Sequence, residues 1–158
     1  LLPGVSSAVE AFDGTNWTEV AEMNTARNGP YLSGDSSNAI CSGGSVEPGV
    51  QTKAETWDGT SWTEVGDLNT ARYNGGSAGT HTSALIFGGS NQAGTVDAET
   101  EVWNGTSWSE LNDLSTARNY QHGAGSTSAN AIYAGGNPGS AATEEWTADL
   151  SNKTITTS

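Results

Sequence analysis

A six-residue turn that returns at near-constant spacing constrains this chain more than any other feature. It reads Phe12-Asp13-Gly14-Thr15-Asn16-Trp17, then Trp57-Asp58-Gly59-Thr60-Ser61-Trp62, then Trp103-Asn104-Gly105-Thr106-Ser107-Trp108. Asp-Gly or Asn-Gly between β-type residues is the strongest short-range hairpin signal, because Gly takes a positive φ at little cost and Asp or Asn bonds its own backbone. Each copy is therefore expected to be a strand, a tight turn and a strand. The first aromatics lie 45 residues apart (12 to 57), then 46 (57 to 103), then 43 (103 to Trp146), where a remnant of the turn remains. A period in this range marks a repeat architecture.

Aligned on the turn, three more landmarks fall into register. Thr-Ala-Arg recurs at Thr25-Ala26-Arg27, Thr70-Ala71-Arg72 and Thr116-Ala117-Arg118; Gly-Gly recurs at 43-44, 88-89 and 135-136; and Glu10, Glu55, Glu101 and Glu144 each stand two residues before an aromatic. Short runs between them, such as Ser83-Ala84-Leu85-Ile86-Phe87 and Ala129-Asn130-Ala131-Ile132-Tyr133, are bounded by Gly, Ser and Asn and read as strands of about five residues. No segment carries a helical period. One repeat then holds four strands: one after Thr-Ala-Arg, one ending at Gly-Gly, one ending at the first aromatic and one starting at the last Trp. Four strands in about 45 residues is the size of a propeller blade. The expected class is all-β with four-stranded antiparallel blades. Complete units span 25–69, 70–115 and 116–158, and 1–24 forms the second half of an incomplete blade, with Leu1-Leu2-Pro3-Gly4 aligning with the end of a second strand. Three and a half blades fall short of the roughly four a closed ring needs.

Gly-Gly, a variable loop, a Glu-x-aromatic strand, a second Trp and Thr-Ala-Arg together resemble the kelch repeat of galactose-oxidase-type β-propellers, over essentially the whole chain. The last repeat, from Gly135-Gly136 through Glu144-Glu145-Trp146 to Ser158, is similar to kelch-like proteins encoded by marine bacteriophages. That resemblance implies a virion or tail-associated protein that ends naturally at Ser158. The first residue is not Met, and Leu1-Leu2-Pro3-Gly4 has neither the basic region nor the apolar core of a signal peptide, so a processed or partial chain is expected.

Charge narrows the partners. Eighteen acidic against five basic residues give a net charge of −13, which repels phosphate backbones and anionic lipid surfaces and argues against nucleic acid or membrane insertion. All three arginines occupy one repeat position, although the only other basic residues are Lys53 and Lys153. A planar guanidinium pairs bidentately with a carboxylate, so Arg27, Arg72 and Arg118 are expected to bridge the recurrent glutamates; the competing reading is an arginine-lined channel that binds anions. Trp57, Trp103 and Trp146 recur in phase with the strands, as do Trp17, Trp62 and Trp108, which favours packing over a sugar-stacking surface. Cys41 aligns with Ile86 and Tyr133 and reads as a small core residue.

No catalytic cluster is legible. A turn with one carboxylate falls far short of the six to eight oxygens of a calcium site. The Asp-box of sialidases separates its Asp and Gly, whereas Asp58 and Gly59 are adjacent. A galactose-oxidase-type copper site needs several His and Tyr ligands and a cross-linked Cys, and this chain has only two histidines, His81 and His122, which are not equivalent in the repeat, and Cys41. Neither a metal nor a cofactor is expected. The unrepeated loops after Gly-Gly are the first place to seek binding, through Glu47, Gln51, Asn91, Gln92 and Asn137. The leading expectation is a non-enzymatic structural or host-recognition component of a phage virion or extracellular fibre, adhesin-like. Its partners would be other virion or fibre subunits, missing blades of the same chain, or a host surface glycan. The alternative is a propeller-type hydrolase or oxidase whose catalytic residues lie in a missing N-terminal part.

Overall fold

The computed structural model describes residues 5–46, 48–120, 122–139, 141–147 and 151–155. Among them the chain is all-β, its strands joined in antiparallel pairs, without a helix. Strands β1 (Val9–Phe12) and β2 (Trp17–Val20) form a two-stranded sheet. The second sheet holds β3 (Tyr31–Gly34) and β4 (Ala39–Ser42); a small ribbon of β5 (Ser45–Val46) and β6 (Gly49–Val50) intervenes before β7 (Ala54–Trp57) and β8 (Trp62–Val65) complete it. The third holds β9 (Gly76–Thr80), β10 (Ser83–Ser90), β11 (Val96–Trp103) and β12 (Trp108–Glu110). The fourth holds β13 (Gly123–Thr127), β14 (Asn130–Ala134), β15 (Thr143–Thr147) and β16 (Ser151–Ile155). Within each sheet the strands lie in chain order. The alignment of Leu1-Leu2-Pro3-Gly4 with a strand end, and the expected terminus at Ser158, lie outside the described residues.

The repeated turn does what its residues dictate. Asp58 Oδ1 accepts hydrogen bonds from the N–H groups of Thr60 and Ser61, both at 2.8 Å, and Asn104 Oδ1 accepts from Thr106 at 2.9 Å and Ser107 at 3.0 Å. Gly59 and Gly105 both adopt φ +93°, a conformation that L side chains rarely tolerate. The turn sets the flanking aromatics directly opposite each other: Trp57 faces Trp62 and Trp103 faces Trp108, with ring centroids 5.5 and 5.4 Å apart. Such tilted pairs contribute beyond the area they bury.

Those aromatics fill the space between sheets. Trp57 and Trp62, with Ala39 and Cys41, pack on Val9 and Val20 of the first sheet and on Met23 of the linker that leaves it. Trp103 and Trp108 pack with Ile86 on Ile40 and Tyr31 of the second and on Leu68 of the linker that leaves it. Trp146, Tyr133 and Ala131 pack on Leu85, Phe87 and Ala78 of the third. The first strands β3, β9 and β13 run beside one another. Their small residues permit that approach: a Cβ on Gly76 or Gly123 would come within 2.4 and 2.3 Å of the Phe87 ring. Ser77 Oγ donates to the Leu32 carbonyl at 2.7 Å, and Ser33 Oγ to the Ala78 carbonyl at 3.2 Å, tying β3 to β9. The sheets therefore converge on their first strands.

Candidate functional site

The three arginines are buried, none more than 3% exposed, and each grips a glutamate of the same sheet: Arg27 pairs with Glu55, Arg72 with Glu101 at 2.5 Å, and Arg118 with Glu144 at 2.7 Å. Two of the guanidiniums also tie down the connection leaving the second strand, while Arg72 Nη1 donates to the Glu99 carbonyl of β11 at 2.6 Å. Arg27 Nη1 donates to the carbonyls of Gly43 and Lys53 at 3.1 and 2.7 Å, and Arg118 Nη1 to those of Gly135 and Ala142 at 3.0 and 2.9 Å. The carboxylates are saturated from their other side by the linker that leaves the preceding sheet. Glu55 accepts from the N–H of Asn24 at 2.7 Å and of Thr25 at 3.1 Å, and Glu101 from Asn69 at 2.8 Å and Thr70 at 3.2 Å. One buried pair thus fixes three backbone segments, and an arginine channel open to anions does not form among these residues.

The Gly-Gly pairs sit where that linker crosses. Gly43 and Gly44 have φ of +62° and +93°, Gly88 and Gly89 of +62° and +112°. Gly44 N–H donates to the Arg72 carbonyl at 2.9 Å, and Gly89 N–H to the Arg118 carbonyl at 2.8 Å. A Cβ at Gly89 would fall 2.1 Å from the Tyr31 hydroxyl, itself bonded to the Gly88 carbonyl at 2.6 Å. Burial drives the Tyr31 phenol well above its ordinary pKa and pushes the Cys41 thiol up to about 12, so neither is a reactive group. Cys41 faces Glu55 across the strands, as Ile86 faces Glu101 and Tyr133 faces Glu144.

Trp57, Trp103 and Trp146 are buried, as packing predicts. Trp17 and Glu10 depart from their repeat positions. Trp17 is 66% exposed and its partner Phe12 46%, since among the described residues no sheet packs on the outer face of β1 and β2. Glu10 is exposed on that face with no ion pair among the described residues, whereas each paired glutamate follows its arginine by 28, 29 and 26 residues (27 to 55, 72 to 101, 118 to 144).

Connectivity assigns the variable loops to one rim. The β3–β4 and β7–β8 turns lie at one end of the second sheet, and the β4–β7 connection with Gln51 lies at the other. By the same pattern Asn91 and Gln92 occupy the β10–β11 connection and Asn137 the β14–β15 connection, all on that second rim. Glu47 lies outside the described residues. Gln92 joins neighbouring loops, accepting from Val50 N–H at 2.6 Å and donating to the Pro48 carbonyl at 3.1 Å. Asn91 Oδ1 folds its own loop by accepting from Ala93 at 3.0 Å and Thr95 at 3.2 Å. Asn137 is exposed, precedes a cis peptide bond to Pro138, and exchanges backbone bonds of 3.1 Å with Asn119.

The same rim carries an open depression of about 530 Å³ lined by Pro30, Leu32, Asn74, Tyr120 and His122 among others. Gly29, Asn74 and Tyr120 share one repeat position with φ of +60°, +59° and +58°, and the N–H of each later member donates 2.8 Å to the carbonyl of the earlier one. A tyrosine held there is strained relative to glycine and is 62% exposed. Sequence reasoning missed this position; the register of Gly29 with Asn74 was the available signal. Among the described residues no three His, Cys, Asp or Glu side chains cluster as a metal site would require.

No protein-family model matches the chain, and no curated protein matches it. Among solved structures it is similar to YjhT, with a TM-score of 0.76 at 14% sequence identity over 95% of this chain. The chain spans about half of that protein, 51% of its length. A likeness at this identity concerns the fold.

Proposed function

We propose that the chain is a segment of a kelch-like β-propeller in which 25–69, 70–115 and 116–158 are blades and 1–24 is the latter half of one. In this reading it is a non-enzymatic recognition module of a virion or extracellular fibre. The observation that carries the proposal is the partition of its polar chemistry. Every arginine and each partnered repeat glutamate is consumed in burying and tying the scaffold, while exposed amides and the strained Tyr120 gather on one rim. Recurrent residues build; of the unrepeated ones Asn91 and Gln92 brace their loops, while Asn137 and Tyr120 stand exposed. The resemblance of the last repeat to marine phage proteins supports the virion setting.

The rim suits an uncharged glycan. Amides and hydroxyls supply oriented hydrogen bonds, an exposed aromatic face stacks on a sugar ring, and a net charge of −13 disfavours anionic ligands. The test is a screen of the purified chain against neutral and anionic glycans, followed by Tyr120→Ala. Binding of a neutral glycan that weakens at least about tenfold in the variant, with unchanged thermal stability, supports the proposal. Indifference of the chain to every glycan, or a bound glycan indifferent to Tyr120, overturns it.

A further inference from the structure

On the rim opposite Tyr120, where the β3–β4 and β9–β10 hairpins turn, an open depression of about 520 Å³ lies between three consecutive sheets. Asp35, Asn38, Thr80, His81, Thr82 and Ser126 line it, with glycine backbone between them and no large apolar side chain. Two of its turns are pinned in one pattern: the Trp57 indole donates to the Ser36 carbonyl at 3.0 Å, and the Trp103 indole to the His81 carbonyl at 3.1 Å. Ser36 and His81 therefore share a repeat position, and the repeat scaffold requires neither Asp35 nor His81. The Ser83 and Ser128 hydroxyls, 2.6 Å apart, tie the second of these turns to the β13–β14 turn. The backbone is held while the side chains stay open. Asp35 Oδ1 accepts from the N–H groups of Ser37 at 2.8 Å and Asn38 at 3.0 Å. Asp58 closes its own turn the same way and spends Oδ2 on the Ser61 hydroxyl at 3.3 Å, whereas Asp35 Oδ2 has no hydrogen-bond partner among the described residues. The Asn38 amide, the His81 imidazole and the Ser126 hydroxyl have none either.

We infer that this depression binds a small hydroxylated primary amine, of the chemical class of a hexosamine with a free ammonium group. An ammonium offers three donors and no acceptor, and an ionised carboxylate with one open oxygen is its natural counterpart. The Ser37 and Asn38 amides hold the Asp35 carboxyl below its ordinary value, and the charge of His81 adds to this, so Asp35 is ionised at neutral pH. Hydroxyls from Thr80, Thr82 and Ser126 and the Asn38 amide both donate and accept, which suits the hydroxyl groups of such a ligand. The net charge of −13 draws cations to the surface and repels anions. A metal ion fits less well, because Asp35 and His81 supply two ligands and among the described residues no third His, Cys, Asp or Glu joins them. A protein partner fits less well too, since the lining offers no apolar pocket for an anchoring side chain.

This site and the Tyr120 rim lie at opposite ends of the sheets, and the two readings fail separately: one is read at Asp35, the other at Tyr120. The test titrates the intact chain with glucosamine, N-acetylglucosamine and putrescine at neutral pH and low ionic strength, followed by calorimetry and by amide chemical shifts. Glucosamine should bind saturably. N-acetylglucosamine, which lacks the charge, and putrescine, which lacks the hydroxyls, should each bind at least about fivefold more weakly. Asp35→Asn should weaken glucosamine at least about fivefold while leaving the fold intact, because Asn104 makes the same two amide bonds in its own turn; circular dichroism verifies the fold. Tyr120→Ala should leave glucosamine binding unchanged, and the shifted amides should be those of the β3–β4 and β9–β10 turns. No binding of glucosamine at millimolar concentration overturns the inference. So does equal binding of N-acetylglucosamine or putrescine, or glucosamine binding that ignores Asp35→Asn or is lost in Tyr120→Ala.

Discussion

Glu10 and Glu101 hold the same place in the repeat and live in opposite environments. Glu101 is fully buried, tied to Arg72 and to two backbone amides; Glu10 stands in solvent without an ion-pair partner among the described residues. The same contrast separates Trp103, 2% exposed, from Phe12 and Trp17. Local chemistry is conserved across the two regions, since Phe12 faces Trp17 at 5.2 Å just as Trp103 faces Trp108 at 5.4 Å. What differs is the neighbouring sheet. A repeat residue specifies a socket, and stability comes only when an adjacent unit fills it.

Large apolar truncations sharpen this contrast most. Trp103→Ala is expected to destabilise by about 3–5 kcal/mol through lost burial and a cavity, whereas Trp17→Ala stays within about 0.5 kcal/mol as an exposed change; urea unfolding followed by circular dichroism measures both. Glycines with positive φ come next. Gly89→Ala (φ +112°) meets both backbone strain and the Tyr31 hydroxyl, while Gly14→Ala (φ +100°) meets nothing within 4 Å. The expected costs are about 2–4 and about 1–2 kcal/mol respectively, and equal costs would show that close approach is not what the Gly-Gly pair serves.

A smaller effect of opposite sign is expected at the rim. Tyr120→Gly relieves a left-handed tyrosine and should raise stability by about 0.5–1 kcal/mol, visible as a higher melting temperature, while removing any glycan contact. Smallest is the pH response of the repeated turn. The Asp58 carboxyl is held down at about 2, first by the Thr60 hydroxyl and then by the Ser61 and Thr60 amides. A depressed carboxylate pKa contributes stability that is present above the unfolded value of 3.8 and is lost as pH falls toward about 2. Asp58→Asn should therefore flatten part of the loss between those limits. Asn104, which makes the same two amide contacts without a charge, should show no such dependence.

Much of the fold was legible because its signals are local or periodic. Asp58-Gly59 dictates its own hairpin, and the period of 45, 46 and 43 residues brings the arginines into one register and the glutamates into another. Exposure was not legible at Trp17 or Glu10, because their residue types and spacing match buried copies and only a neighbouring sheet distinguishes them. The candidate rim was half legible. The loops after Gly-Gly announce themselves by variation, but Gln92 bridging to Pro48 and Val50, and Tyr120 sharing the left-handed position of Gly29, arise from contacts 42 or more residues apart in sequence.

The central claim is that the repeat glutamate stabilises only where an arginine-bearing unit encloses it, and side-by-side denaturation of Glu101→Ala and Glu10→Ala tests it most directly. Breaking the buried pair at Glu101 should cost about 3–5 kcal/mol by leaving buried Arg72 only the half-buried Glu99 carboxylate at 3.5 Å, whereas Glu10→Ala should change stability by less than about 0.5 kcal/mol. Comparable losses from the two substitutions would contradict the account.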